Sequence, residues 1–73
     1  MARETVESPM PGKITEIKVK VGAVVKEDDE LMILEAMKME NPICAPISGK
    51  VVELNVAVNG LVATGQVLAI IEK

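Results

Sequence analysis

The chain is written twice. Displaced by 37 residues, SPMPGKITEIKVKVGAVVKEDDELMILE, which begins at Ser8, lies over APISGKVVELNVAVNGLVATGQVLAIIE, which begins at Ala45, without a gap. Ten of the 27 positions from Pro9 to Glu35 are identical in the second copy, among them Gly12/Gly49, Lys13/Lys50, Glu16/Glu53, Leu31/Leu68 and Glu35/Glu72. Several of the others exchange one aliphatic for another, as in Ile14/Val51, Ile17/Leu54, Val24/Leu61 and Leu34/Ile71. Self-similarity of this kind means two copies of one supersecondary unit, neither of which buries its apolar face alone.

The repeat also decides the local structure. Taken alone, ELMILEAMKME reads as a helix, because Leu, Met, Glu, Ala and Lys all favour one. Opposite its first part stands VLAIIE, Val67 to Glu72, which is rich in β-branched residues and too short for a stable helix. Matched copies share one conformation, so both segments are strands and pairing overrides the helical propensity of the first. In TEIKVKV, Ile17, Val19 and Val21 alternate with Glu16, Lys18 and Lys20, and in ELNVAV Leu54, Val56 and Val58 repeat the pattern, the period of half-buried strands. Gly12 and Gly49 follow proline-bearing stretches and read as turn residues, and Asn59-Gly60 reads as a hairpin turn. The expected fold is all-β: about eight short strands, four per copy, related by a pseudo-twofold axis and closed as a barrel-like sandwich that protects its edges.

At 73 residues the chain is expected to be a single domain, 1–73, near the size at which one core only just outweighs chain entropy. It has no Phe, Tyr or Trp, so the core must come from Val, Ile, Leu, Met and Ala. The apolar runs fall far short of the ~20 residues of a membrane span. No export signal precedes them either, which makes a cytoplasmic location without membrane insertion the expectation. A single cysteine and no histidine exclude an internal disulfide, a zinc site and a Cys–His nucleophile, leaving Cys44 as an expected small buried residue. A net charge of −3 and the missing aromatics argue against nucleic acid. KEDDE, Lys26 to Glu30, reads as a solvated turn. With its carboxylates and lysines scattered singly, and no phosphate loop or hydrolase elbow, the chain looks like a carrier or binder rather than a catalyst.

One segment has no counterpart in the aligned copies: AMKMENPIC, Ala36 to Cys44. Glu35 ends a strand and the chain must reverse soon after, which puts Ala36, Met37, Lys38 and Met39 in a hairpin turn. Without Gly or Asn the expected form is type I, which tolerates these residue types. The equivalent point of the second copy is Lys73, so the twofold sets Lys38 opposite the chain end with its tip free. Of seven lysines, Lys38 alone is flanked by methionines at a predicted tip. Flexible, polarisable methionines there suit a contact surface; the competing reading is that they fold back as core filler.

EAMKMEN resembles, almost letter for letter, the attachment motif of biotinyl domains, the biotin carboxyl carrier family. SPMPGKI, APISGKV and GQVLAIIE resemble that family's strand entries and closing strand, so the likeness covers nearly the whole chain. The resemblance implies a flattened barrel-sandwich of two four-stranded antiparallel sheets, with biotin joined covalently to Lys38 on a protruding hairpin. It makes Met37 and Met39 the flanking residues and Ala36 the small residue before them, all serving ligase recognition and the turn. It further implies a biotin protein ligase as one partner, and biotin carboxylase, carboxyltransferase or decarboxylase subunits as others. The chain itself would then be no enzyme, with no catalytic residue and no metal. Two departures concern loop shape: Gly22-Ala23 and Asn59-Gly60 replace a common Gly-Asp pair, and Asp28 stands where Gly65 keeps a turn glycine. Two alternatives remain open: a lipoyl carrier of the same fold, whose turns usually have Asp before and Ala after the lysine, and an unmodified β-barrel interaction module.

Overall fold

The computed structural model describes residues 2–73; Met1, the first residue of the expected 1–73 unit, lies outside them. Eight strands follow in order: β1 (Arg3–Glu7), β2 (Gly12–Ile17), β3 (Val24–Val25), β4 (Glu30–Ala36), β5 (Met39–Cys44), β6 (Gly49–Leu54), β7 (Leu61–Val62) and β8 (Val67–Glu72). They form two four-stranded antiparallel sheets, ordered β1-β8-β6-β3 and β5-β4-β2-β7. No helix among the described residues is long and apolar enough to cross a membrane.

The 37-residue shift carries each strand of the first sheet onto one of the second, and registers follow. Lys13 opposes Glu35 as Lys50 opposes Glu72, and Ile14 opposes Leu34 as Val51 opposes Ile71. The symmetry extends past the aligned copies, because β5, part of the segment without a sequence counterpart, is matched by β1. Glu40 opposes Glu35 as Arg3 opposes Glu72. Of this strand pair only the buried Val6/Ile43 position stays aliphatic, too thin a signal for a sequence comparison. The halves also exchange elements: β3 pairs with β6 of the second copy, and β7 with β2 of the first.

The core is one aliphatic cluster between the sheets, with Ile14, Leu31, Met32, Leu34, Val51, Leu68, Ala69 and Ile71 fully buried. Neighbours in sequence such as Leu31 and Met32 cannot both face inward on a regular strand. A bulge allows it: Glu30 opposes Cys44 and Met32 opposes Ile43, leaving Leu31 as the extra residue, and Leu68 is the extra residue against β1. Similar bulges at Thr15 and Val52 bend β2 and β6.

Several local expectations are corrected. β2 and β6 end at Ile17 and Leu54, because the chain then crosses to the other sheet, so Val21 and Val58 are exposed rather than inward-facing. Val19 and Val56 pack partly against the core. Asn59-Gly60 is not the tip of a hairpin between adjacent strands. It belongs to the turn Ala57–Gly60, where the Gly60 amide donates to the Ala57 carbonyl at 3.0 Å and Asn59 has φ 73°, on the way from one sheet to the other. Gly22 holds the matching place at φ 97°. Asp28 adopts φ 75° where Gly65 has 80°, so both loops keep one shape despite the missing glycine, and of KEDDE the first four residues form an exposed turn while Glu30 opens β4. Cys44 is exposed, since Ile43 beside it takes the inward position.

The Thr15 hydroxyl is buried at its bulge with no hydrogen-bond partner, whereas Val52 occupies the matching place of the second copy. Thr15→Val is therefore expected to raise the unfolding free energy by about 1 kcal/mol in urea denaturation. A loss of similar size would show that the hydroxyl has a partner in solution.

Candidate functional site

The β4–β5 hairpin is set by its register. Glu35 opposes Glu40 and Ala36 opposes Met39, which leaves only Met37 and Lys38 to reverse the chain. Both have positive φ, 54° and 64°. Two central residues in the left-handed region define a type I′ turn, not the type I turn expected from composition, because only the primed turn follows the twist of the strands. Left-handed backbone costs an L-residue roughly 1–2 kcal/mol, and neither Met nor Lys has the short polar side chain that lessens it. The turn therefore opposes folding and persists because the paired strands on either side impose it.

All that surrounds the turn faces out. Met37 is 87% exposed and Met39 65%, so neither fills the core, and Lys38 is exposed between them. Among the described residues no ion pair involves Lys38. Ala36 is the exception, being 5% exposed, and turns inward against the start of β2. There a side chain on Gly12 would meet the Ala36 Cβ at 3.2 Å and, closer still, the Glu35 backbone oxygen. Gly12 is thus required by a close approach of two strands rather than by a turn, as sequence suggested, and the Ala36 methyl packs against it. Its repetition at Gly49 was a visible signal of this, misread as turn chemistry.

The twofold also exposes a difference in charge. At the chain ends Arg3 Nε donates to Glu72 at 2.9 Å, while at the hairpin the matching residues are Glu40 and Glu35, like charges placed directly across from each other. Farther along the same sheet Lys18 donates to Glu30 at 2.6 Å, and this bond holds the Lys18 ammonium above its ordinary range. That surface contribution is complete below the ordinary lysine pKa and disappears as pH rises through the raised one.

The chain and its fold are similar to known proteins. The biotin/lipoyl family model, described as biotin-requiring enzyme, matches residues 4–71. The chain belongs to the biotin-requiring enzyme family. Among curated relatives it is 58% identical over 43 residues to the methylmalonyl-CoA decarboxylase subunit gamma of Veillonella parvula, a match covering 59% of this chain and 33% of that one. It is 46% identical over 64 residues to the pyruvate carboxylase of Staphylococcus aureus, covering 88% and 6%. It is 57% identical over 44 residues to a biotin carboxyl carrier protein of Streptococcus mutans, covering 60% and 34%. These matches thus span about a third or less of each relative. Among solved structures, the urea carboxylase of Kluyveromyces lactis superposes over 99% of this chain and 6% of its own, with TM-score 0.91 and 30% identity. A single-chain, multi-domain long-chain acyl-CoA carboxylase gives 0.87 and 28% over 93% and 7%. The family fold agrees with the two-sheet architecture expected from the biotinyl resemblance.

The strain in this biotin-requiring enzyme family turn is testable. Replacing Met37 and Lys38 by Asn and Gly, the pair that type I′ turns favour, is expected to raise the unfolding free energy by about 1–2 kcal/mol in chemical denaturation. A neutral or destabilising result would mean that the backbone here is not strained.

Proposed function

We propose that the chain is a biotin carboxyl carrier, a non-catalytic component of a biotin-dependent carboxylase, transcarboxylase or decarboxylase, and that Lys38 is the attachment residue. The observation that carries this reading is Lys38 itself, exposed in a two-residue turn between two exposed methionines, in a chain of the biotin-requiring family. The names of its relatives, a decarboxylase gamma subunit, a pyruvate carboxylase and a biotin carboxyl carrier protein, support it.

The residues present fit a covalently bound biotin, since attachment needs an amine that another enzyme can reach from several sides. An ordinary lysine has a pKa of about 10.4, so at pH 7 on the order of one amine in a thousand is neutral and nucleophilic. A biotin protein ligase therefore supplies deprotonation and alignment, and this chain supplies presentation. The Lys38 Nζ would serve as the nucleophile, forming an amide with the activated carboxyl group of biotin and giving up a proton as the activating group leaves. Met37 and Met39 offer the ligase an adaptable apolar grip on either side of the amine.

Once bound, biotin supplies a ureido nitrogen able to take up and give up a carboxyl group. The sheets hold the base of the arm, and the lysine side chain lets its end reach two sites in turn. Such a tether keeps its end at roughly millimolar effective concentration near each site. The active sites belong to partner subunits, a biotin carboxylase and a carboxyltransferase or decarboxylase. The methionines on both sides of Lys38 favour biotin over a lipoyl group, and the exposed amine favours a modified carrier over an unmodified interaction module.

Lys38→Arg is expected to abolish incorporation of biotin while leaving circular dichroism and melting unchanged. Gain of one biotinyl mass by this variant, incubated with ligase, ATP and biotin, would refute the site. Met37→Asp combined with Met39→Ala is expected to slow biotinylation at least tenfold, about 1.4 kcal/mol of transition-state binding. It should also turn the site toward lipoyl attachment. Unchanged kinetics in that double variant would remove the methionines from recognition.

A further inference from the structure

The hairpin has a narrow foundation. β5 is the outer strand of its sheet, so the turn is braced laterally only through β4, whose last residue, Ala36, lies across from Gly12 of β2. We propose that Gly12 is a positioning residue for Lys38: the missing side chain lets the end of β4 close onto β2, and that closure sets where the turn stands. The proposal rests on the carrier reading for the purpose of Lys38, but its geometry is independent of it.

Gly12 is not needed for an unusual backbone, since its φ is not in the left-handed region, unlike that of Gly22 and Gly65. It is needed for space. A methyl group there would come within 2.9 Å of Leu34 Cδ1 and 3.2 Å of Ala36 Cβ, and nearer still to the Glu35 carbonyl oxygen. Leu34 can rotate away. The Glu35 carbonyl and the Ala36 Cβ are fixed to the backbone three and two residues before Lys38, so relief requires the end of β4 to move off β2 and carry the turn with it.

The twofold supplies an internal control. A methyl group on Gly49 would meet the Glu72 carbonyl, with its carbon at 2.9 Å, and Ile71 Cγ2 at 3.0 Å. That is the same clash at the same register, but the displaced residues adjoin Lys73 and the strand β1. The two glycines carry matched packing constraints with different consequences for Lys38.

Gly12→Ala and Gly49→Ala are compared by thermal unfolding, by backbone amide chemical shifts and by steady-state biotinylation with ligase, ATP and biotin. Both are expected to lower the melting temperature by similar amounts. Gly12→Ala alone is expected to shift the amides of residues 37–41 and to lower kcat tenfold or more, as misplacement of a reacting group does. KM should change less than twofold. Gly49→Ala is expected to shift amides near Arg3 and Lys73 and to keep kcat within twofold. Equal losses of kcat in the two variants, or amides at 37–41 unmoved by Gly12→Ala, would overturn the assignment. If Gly12→Ala does not fold, Ala36→Val crowds the same contact from the other side, and unchanged kcat with unmoved amides at 39–41 overturns it equally. A wild-type chain that gains no biotin refutes the carrier reading instead, while the amide shifts still judge Gly12.

Discussion

Everything in this molecule depends on inward-facing aliphatic side chains of β2 and β4 being buried against those of β6 and β8. Ile14, Leu34, Val51 and Ile71 are completely withdrawn from solvent, and Ile14 stands opposite Leu34 as its twofold equivalent Val51 stands opposite Ile71. With no aromatic ring to fill volume, the sequence recruits extra inward positions by bulging strands at Leu31 and Leu68. Burial of this kind contributes about 25 cal/mol per Å² of apolar surface, and in so small a chain no other source is comparable. The exchange of β3 and β7 between sheets then makes each half incomplete without the other.

Against that background the hairpin stands out as locally unfavourable. Two residues without the chemistry for it adopt left-handed backbone, two methionines face water, and two glutamates oppose each other where the twofold equivalent has an ion pair. None of this helps the chain fold. Local conflicts of this sort are expected where function rather than folding sets the sequence.

Much of this was legible from sequence because the duplication allowed one copy to interpret the other. VLAIIE showed that ELMILE is a strand, and the repeat as a whole pointed to an eight-stranded all-β sandwich. What stayed hidden depended on register across strands. Met37-Lys38 could be seen as a turn, but its type follows from Ala36 facing Met39, which no residue preference reports. Val21 and Val58 were misplaced because alternation was carried past the points where the chain leaves a sheet, and Cys44 because its residue type alone suggested burial while Ile43 beside it takes the inward position. The equivalence of β1 and β5 was invisible because only Val6 and Ile43 had to remain alike.

The terminal strands have a consequence of their own. Arg3 lies across from Glu72, and the Lys73 amide donates to the Ala2 carbonyl at 2.8 Å, so entry and exit of the fold adjoin. A unit with its two loose threads at one spot can be stitched into a larger polypeptide as a side-branch, hung by a single stem, without stretching its host or unpicking itself.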